Sequence, residues 1–276
     1  MFRFSHLNRL VTVVTLLSLV GAFTLVADAS HSWGSYHWAR TVNPFTLKLG
    51  DNVSFAWDPF LATASGDWTQ SSILNTTVVS GSTDSRRCRA TNGRVEVCSN
   101  RYGNNGWLGI ASIWISGSHI TKGTVRVNDT YFNTSRYNTP GWRGFVMCQE
   151  VGHTFGLDHQ DEDFYNSNLG SCMDYSGDPD GTINGQLSNE HPNNHDYEQL
   201  ETIYAHLDSS ATLLSDRRGT AAGALALARA NLEELDLNSP REWGRVIRTA
   251  RDGRSSLYER DLGRGEKVFT FVIWAD

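Results

Sequence analysis

An α/β (α+β) fold built on a twisted mixed sheet is what this sequence predicts, and three observations carry that reading. Short, alternating, aromatic-rich segments recur through the first half, an apolar-sided helix opens at Thr139-Pro140, and a second helical pattern ends near Leu207. The chain of 276 residues has ordinary apolar content, enough for one good core and a small second unit.

Taken in order, the first element is a leader. Arg3 and Arg9 precede an apolar run from Leu10 to Val26 that ends in Ala27-Asp28-Ala29. This is the pattern of a signal peptide cleaved after Ala29, and no basic flank behind it favours a retained anchor. A secreted, extracellular chain without stable membrane insertion is therefore expected. Phe45-Leu47-Leu49 and Val53-Phe55-Trp57 then alternate with polar residues and read as strands with one buried face. Trp68 to Leu74 is helix-compatible, Val78-Val79 resumes strand character, and Trp107 to Trp114 and Gly123 to Val127 read as two further strands joined by a loop.

Thr139 as N-cap with Pro140 at the first helical position begins the most informative helix, with Gly156 as its stop. From Asp158 to about Asn194 the chain is polar and glycine-rich, a long loop region of the kind that carries function. Tyr197 to Leu207, with Leu200, Ile203, Tyr204 and Leu207 at helical spacing, reads as a closing helix. Beyond Asp208 the composition shifts. Ala221 to Leu235 is alanine-rich and helix-compatible, and Trp243–Arg251, Ser255–Asp261 and Lys267–Trp274 read as a small β-meander. Three strands alone are barely stable, so the meander is expected to pack on the unit before it or on a partner. The division expected is a leader over 1–29, a main domain over 30–208, and a helical linker with a small β region over 209–276.

The four cysteines, Cys88, Cys98, Cys148 and Cys172, are an even number in an exported chain, so disulfides are the default. Three connectivities are possible, and the near-neighbour pairs Cys88 with Cys98 and Cys148 with Cys172 are the simplest. Asn92-Gly93 is a hairpin signal between the first pair, although a plain two-residue turn there sets Cys88 opposite Val97 unless a bulge intervenes. Charge is as informative. No Lys or Arg occurs between Arg143 and Arg217, where Asp and Glu recur, so nucleic acid is not an expected partner. A calcium ion near Asp178 and Asp180 suits that surface, though Asp-Pro-Asp-Gly only partly matches a calcium loop.

The chemistry concentrates in Gln149-Glu150-Val151-Gly152-His153-Thr154-Phe155-Gly156-Leu157-Asp158-His159. On a helix, positions 149 and 153 share a face one turn apart, and Gly156 lets the chain reverse so that His159 returns to the same point. E-x-x-H-x-x-G-x-x-H resembles the metzincin signature in all but its first histidine, which here is Gln149. The Phe-Gly-Leu-Asp-His ending is most similar to the matrixins, and Cys172-Met173-Asp174-Tyr175 resembles the clan's Met-turn. The detailed likeness spans residues 139 to 175.

That resemblance implies a metzincin catalytic domain, with an active-site helix and a closing C-terminal helix, acting as a secreted metalloendopeptidase on protein or peptide substrates. It implies His153 and His159 as zinc ligands with Gln149 in the third place, Glu150 as general base for a metal-activated water, and Met173 as the floor beneath the metal. Tyr175 stands two residues after Met173, the spacing at which astacin- and serralysin-like members place a metal- or oxyanion-reaching tyrosine and matrixins do not. Gln149 changes the metal chemistry. An amide oxygen is a weaker zinc donor than imidazole, so zinc affinity falls and Cu²⁺ becomes a competitor. The gametolysin-like branch has members that read Gln-Glu-x-x-His. His119, His191 or His195 folding in as the missing ligand is a further alternative, unsupported by spacing. The rival to a peptidase is a metzincin-fold binding protein or adhesin that has lost zinc. No cysteine lies between Ala29 and Cys88, so a metal-blocking thiol in a pro-segment is not expected.

Overall fold

The computed structural model describes residues 31–32, 34–213, 235–250 and 252–275. The expected signal peptide and nearly all of the alanine-rich stretch from Ala221 lie outside them. Among the described residues nine strands form one mixed sheet: β1 His37–Trp38, β2 Phe45–Asn52, β3 Leu74–Ser80, β4 Val95–Asn100, β5 Trp107–Ser116, β6 His119–Asn128, β7 Arg245–Thr249, β8 Ser255–Gly263 and β9 Glu266–Trp274. The helices are α1 Asp58–Trp68, the short α2 Asp129–Phe132, α3 Pro140–His153 and α4 Asn194–Ile203. The mixed α/β class expected from the sequence is the class observed.

The sheet order is β3-β2-β4-β6-β5-β9-β8-β7, with the short β1 also paired to β6. Its first four strands are parallel, and β5 turns back on β6 as an antiparallel hairpin. In β2 the side chains of Phe45, Leu47 and Leu49 are buried while Thr46 is exposed, the period-two pattern of a strand covered on one face. The expected second strand at Val53–Trp57 is not there. Trp57 N–H bonds back to Ser54 O (2.7 Å), Phe55 is 89% exposed, and Asp58-Pro59 starts α1, so the helix precedes rather than follows Trp68. Proline in the first helical turn is the local cause.

Cys88 is not in a hairpin with Cys98 either. Gly93 N–H bonds to Thr121 O, and β4 lies parallel between β2 and β6. Cys88 reaches β4 from the loop before it, and both near-neighbour disulfides, Cys88–Cys98 and Cys148–Cys172, are present. Helix α4 begins three residues before the expected Tyr197. Asn193 accepts from the Asp196 backbone N–H while the Asp196 carboxylate accepts from that of Asn193, a reciprocal cap that sets the start. It ends at Ile203, leaving Leu207 exposed.

Helix α3 is held by two buried indoles: Trp68 Nε1 donates to Cys148 O (3.1 Å) and Trp38 Nε1 to Thr154 O (2.9 Å). The expected meander is antiparallel and continues the sheet. β9 pairs with β5 in the register Ile110 to Val272 and Ala111 to Phe271, and a second apolar cluster of Trp107, Ile110, Trp243, Val268 and Val272 covers the outer side of that junction. No helix among the described residues is long and apolar enough to cross a membrane.

Candidate metal centre

The site is assembled from the last turns of α3 and the irregular chain that follows. Thr139 caps α3 by accepting from Trp142 N–H (3.2 Å), with Pro140 in the first turn. The helix is pressed onto its floor at Gly152, where an added Cβ would lie 2.6 Å from Met173 Sδ and 2.7 Å from the Trp68 ring. Gly156 then reverses the chain at φ +97°, with its Cα so near Tyr36 O that a side chain would overlap it. The Cys148–Cys172 disulfide ties α3 to the turn that carries Met173, whose N–H bonds to Ser171 Oγ (2.9 Å).

This geometry brings the edges of the His153 and His159 rings together, Nε2 to Nε2 at 2.9 Å with the planes nearly perpendicular. His153 Nδ1 lies 2.9 Å from Leu157 O, and His159 Nδ1 lies 2.8 Å from Glu162 Oε1. A carbonyl or carboxylate oxygen only accepts, so each Nδ1 carries a proton, and in the neutral form of either ring Nε2 presents its lone pair to the other histidine. Burial, then the neighbouring His159, pushes His153 well below the ordinary imidazole range, which keeps it neutral. Two nitrogens at this distance need a proton or a metal ion between them, and orientation by a carbonyl or carboxylate at the far nitrogen is the usual setting of a metal-ligating histidine. Two nitrogens on one zinc stand about 3.3 Å apart, close to the spacing found.

Gln149 supplies a third candidate donor. Its Nε2 donates to Cys172 O (2.8 Å), which leaves Oε1 buried and without a partner. Both Glu150 carboxylate oxygens are likewise buried without a well-formed hydrogen bond. Burial raises that carboxyl well above the usual range, offset only in part by the Ala111 backbone. As a donor set, two imidazole nitrogens and an orphaned amide oxygen one helical turn before His153 suit a divalent metal.

Tyr175 packs its ring on His159 (centroids 4.4 Å apart), but its hydroxyl donates to Val272 O in β9 (3.3 Å). Burial pushes this phenol well above its ordinary range. Two site neighbours come from the C-terminal strands and were not legible in the sequence. Phe271 stacks flat on His153, ring centroids 4.0 Å apart and planes 7° apart. Arg248 makes a two-point contact with Asp158, 2.6 Å to each oxygen, and reaches Glu162 Oε1 at 2.9 Å. Burial alone would raise the carboxyls of Asp158 and Glu162; the contacts with Arg248 and His159 win and hold both below their ordinary values. The Asp158, His159 and Glu162 ligand atoms also lie within 4.8 Å of one another, but Arg248 is the cation that satisfies the two carboxylates.

None of the alternative histidines joins this site. His119 contacts Asp208, His191 pairs with Asp67 at the surface, and His195 packs on His31. The carboxylates of Asp178 and Asp180 accept backbone N–H groups of Ile183, Asn184 and Thr182, closing their own loop, and among the described residues neither belongs to a metal-sized group of ligands.

No family model matches the chain, and no curated protein matches it. Among solved structures it is similar to high choriolytic enzyme 1, a hatching enzyme zinc-protease from the medaka fish Oryzias latipes, with 12% identity and a TM-score of 0.35 over 63% of this chain and 96% of that one. That likeness is one of outline, and the chemistry rests on the residues themselves.

Proposed function

We propose that this chain is a metal-dependent endopeptidase of the extracellular space, seen in a closed form. The observation that carries the reading is the His153–His159 pair, Nε2 to Nε2 at 2.9 Å with each Nδ1 held by an acceptor oxygen. His153 and His159 hold the metal, with Gln149 Oε1 as the third ligand and zinc as the first candidate, copper as its competitor. When bound, such a metal polarises a peptide carbonyl and acidifies a water.

The chain's own residues do the rest. Glu150, one position after Gln149 on α3, carries a carboxyl whose raised affinity for protons suits it to accept one at neutral pH and deliver it to a leaving amine. Met173 and Trp68, pressed against Gly152, fix the helix that presents these groups. The two disulfides suit an oxidising compartment. Complete burial of Gln149, and near-complete burial of Glu150 against Gly109 and Ala111 of β5, favours a second reading, a metzincin-like binding protein without catalysis.

The two are separated by assaying the zinc-loaded chain and its Glu150→Ala variant on a broad peptide library, each with and without Phe271→Ala to open the cover. Hydrolysis should fall at least a hundredfold with Glu150→Ala while bound zinc stays the same. Equal activity of the two, or none in any form with zinc bound, overturns the peptidase.

A further inference from the structure

A second group of histidines lies at the start of the sheet, made of residues that the first site does not use. His37 on β1 and His206 and Asp208 after α4 bring their ligand atoms together: His37 Nε2 is 3.2 Å from His206 Nε2 and 3.3 Å from Asp208 Oδ1, and His206 Nε2 is 3.7 Å from that oxygen. Four ligand atoms around one zinc stand about 3.3 Å apart, so the three separations are those of three corners of one coordination sphere.

The proton inventory points the same way. His37 Nδ1 is 2.6 Å from Ser35 O, an acceptor only, so in the neutral ring the proton is on Nδ1 and Nε2 is a bare lone pair. That lone pair faces the Asp208 carboxylate oxygen, another acceptor. If His206 donates to His37, the contact between His37 Nε2 and Asp208 Oδ1 has no proton; if His37 itself carries a proton on Nε2, that one N–H serves only one of its two partners. A divalent cation at the common centre resolves all three contacts at once.

The surroundings are built to hold it. Asp208 Oδ2 accepts from the Arg40 backbone N–H (3.1 Å) and from Arg40 Nη1 (2.9 Å), which fixes the carboxylate and leaves Oδ1 for the centre. The Arg40 guanidinium also donates to the carbonyls of Tyr204 and His206, anchoring the segment that carries both later ligands. His119 Nε2, 3.1 Å from Oδ1, supports the same oxygen from the neighbouring strand. His37 is buried, whereas the His206 side chain is 56% exposed, so an ion has a path in and a solvent-facing position for water.

From this we infer that His37, His206 and Asp208 form a structural site for a borderline divalent metal, Zn²⁺ by its two imidazoles and one carboxylate. The ion would tie β1 to the chain after α4, a span of 169 residues. It is independent of the catalytic reading, because none of its ligands touches His153 or His159.

The test is zinc titration of the chelator-stripped full chain by calorimetry, with thermal melts alongside. Wild type should take up two ions per chain. His206→Ala, a change at an exposed side chain, should leave one ion and remove part of the zinc-dependent rise in Tm, whereas His191→Ala at the surface should leave two. His153→Ala should also leave one, and the double variant none. A wild type that binds a single ion lost with His153→Ala, or a His206→Ala variant that still binds two, overturns the second site. If His153→Ala keeps two ions while His206→Ala loses one, the second site stands and the catalytic reading fails.

Discussion

At the scale of single residues, the site turns on how few partners Gln149 and Glu150 have. Gln149 spends its amide N–H on Cys172 O and keeps a bare oxygen, a weaker zinc donor than an imidazole nitrogen. Gln149→His should therefore raise zinc affinity at least tenfold, read by competition with a chromophoric chelator under conditions where His206→Ala has removed any second ion. Unchanged affinity would mean that position 149 does not ligate. The motif was legible because Gln149, Glu150, His153 and His159 lie within eleven residues and helix geometry alone relates most of them. Arg248 and Phe271 were not, since Arg248 meets Asp158 across 90 residues and no local pattern marks a strand arginine as a carboxylate's partner.

At the scale of elements, start signals decided what could be read. Thr139-Pro140 marks the start of α3 to the residue, whereas Asp58-Pro59 follows directly on the alternation at Val53–Trp57, a short pattern that a turn and a helix cap also produce. The loop after α3 shows how an irregular element can be built on buried polar groups. Asp174, next to Met173, accepts from Leu169 N–H and Asn189 Nδ2, both 2.9 Å, while Oδ1 has no partner. Burial first, with the nearby charges of Asp161 and Asp196, raises its carboxyl to about 6. A group whose folded value lies above its unfolded value of about 4 binds its proton more tightly in the native state. Stability from this group is therefore full below about pH 4 and declines as pH rises through 6, by about 3 kcal/mol in all. Asp174→Asn should flatten that decline and raise Tm at pH 7.5 more than at pH 5, as thermal melts at the two values would show. A variant less stable at both would mean that the carboxylate is needed for its bonds and that its ionisation costs little.

At the scale of the whole molecule, the decisive fact is where the C-terminal strands go. Their existence was legible from alternation, but not their docking, because the partner of β9 is β5, some 160 positions earlier, and strand pairing over such distances leaves no local trace. Docked there, the strands reach both histidines' surroundings and Tyr175. Phe271 covers His153, Val272 O takes the Tyr175 hydroxyl, and Arg248 neutralises Asp158 and the carboxylate that orients His159. On the proposed peptidase reading, a polypeptide substrate needs the space these residues fill, so the closed form should be slow toward proteins until β9 shifts. Phe271→Ala removes the ring over His153 yet leaves the backbone pairing of β9 with β5 intact. In the zinc-loaded chain it should increase peptide hydrolysis at least tenfold, and Arg248→Ala combined with it should increase hydrogen exchange across 266–274 as the strand loosens. Faster exchange without faster cleavage, zinc still bound, would show that the cover is not what limits the reaction and would leave the binding-protein reading in its place.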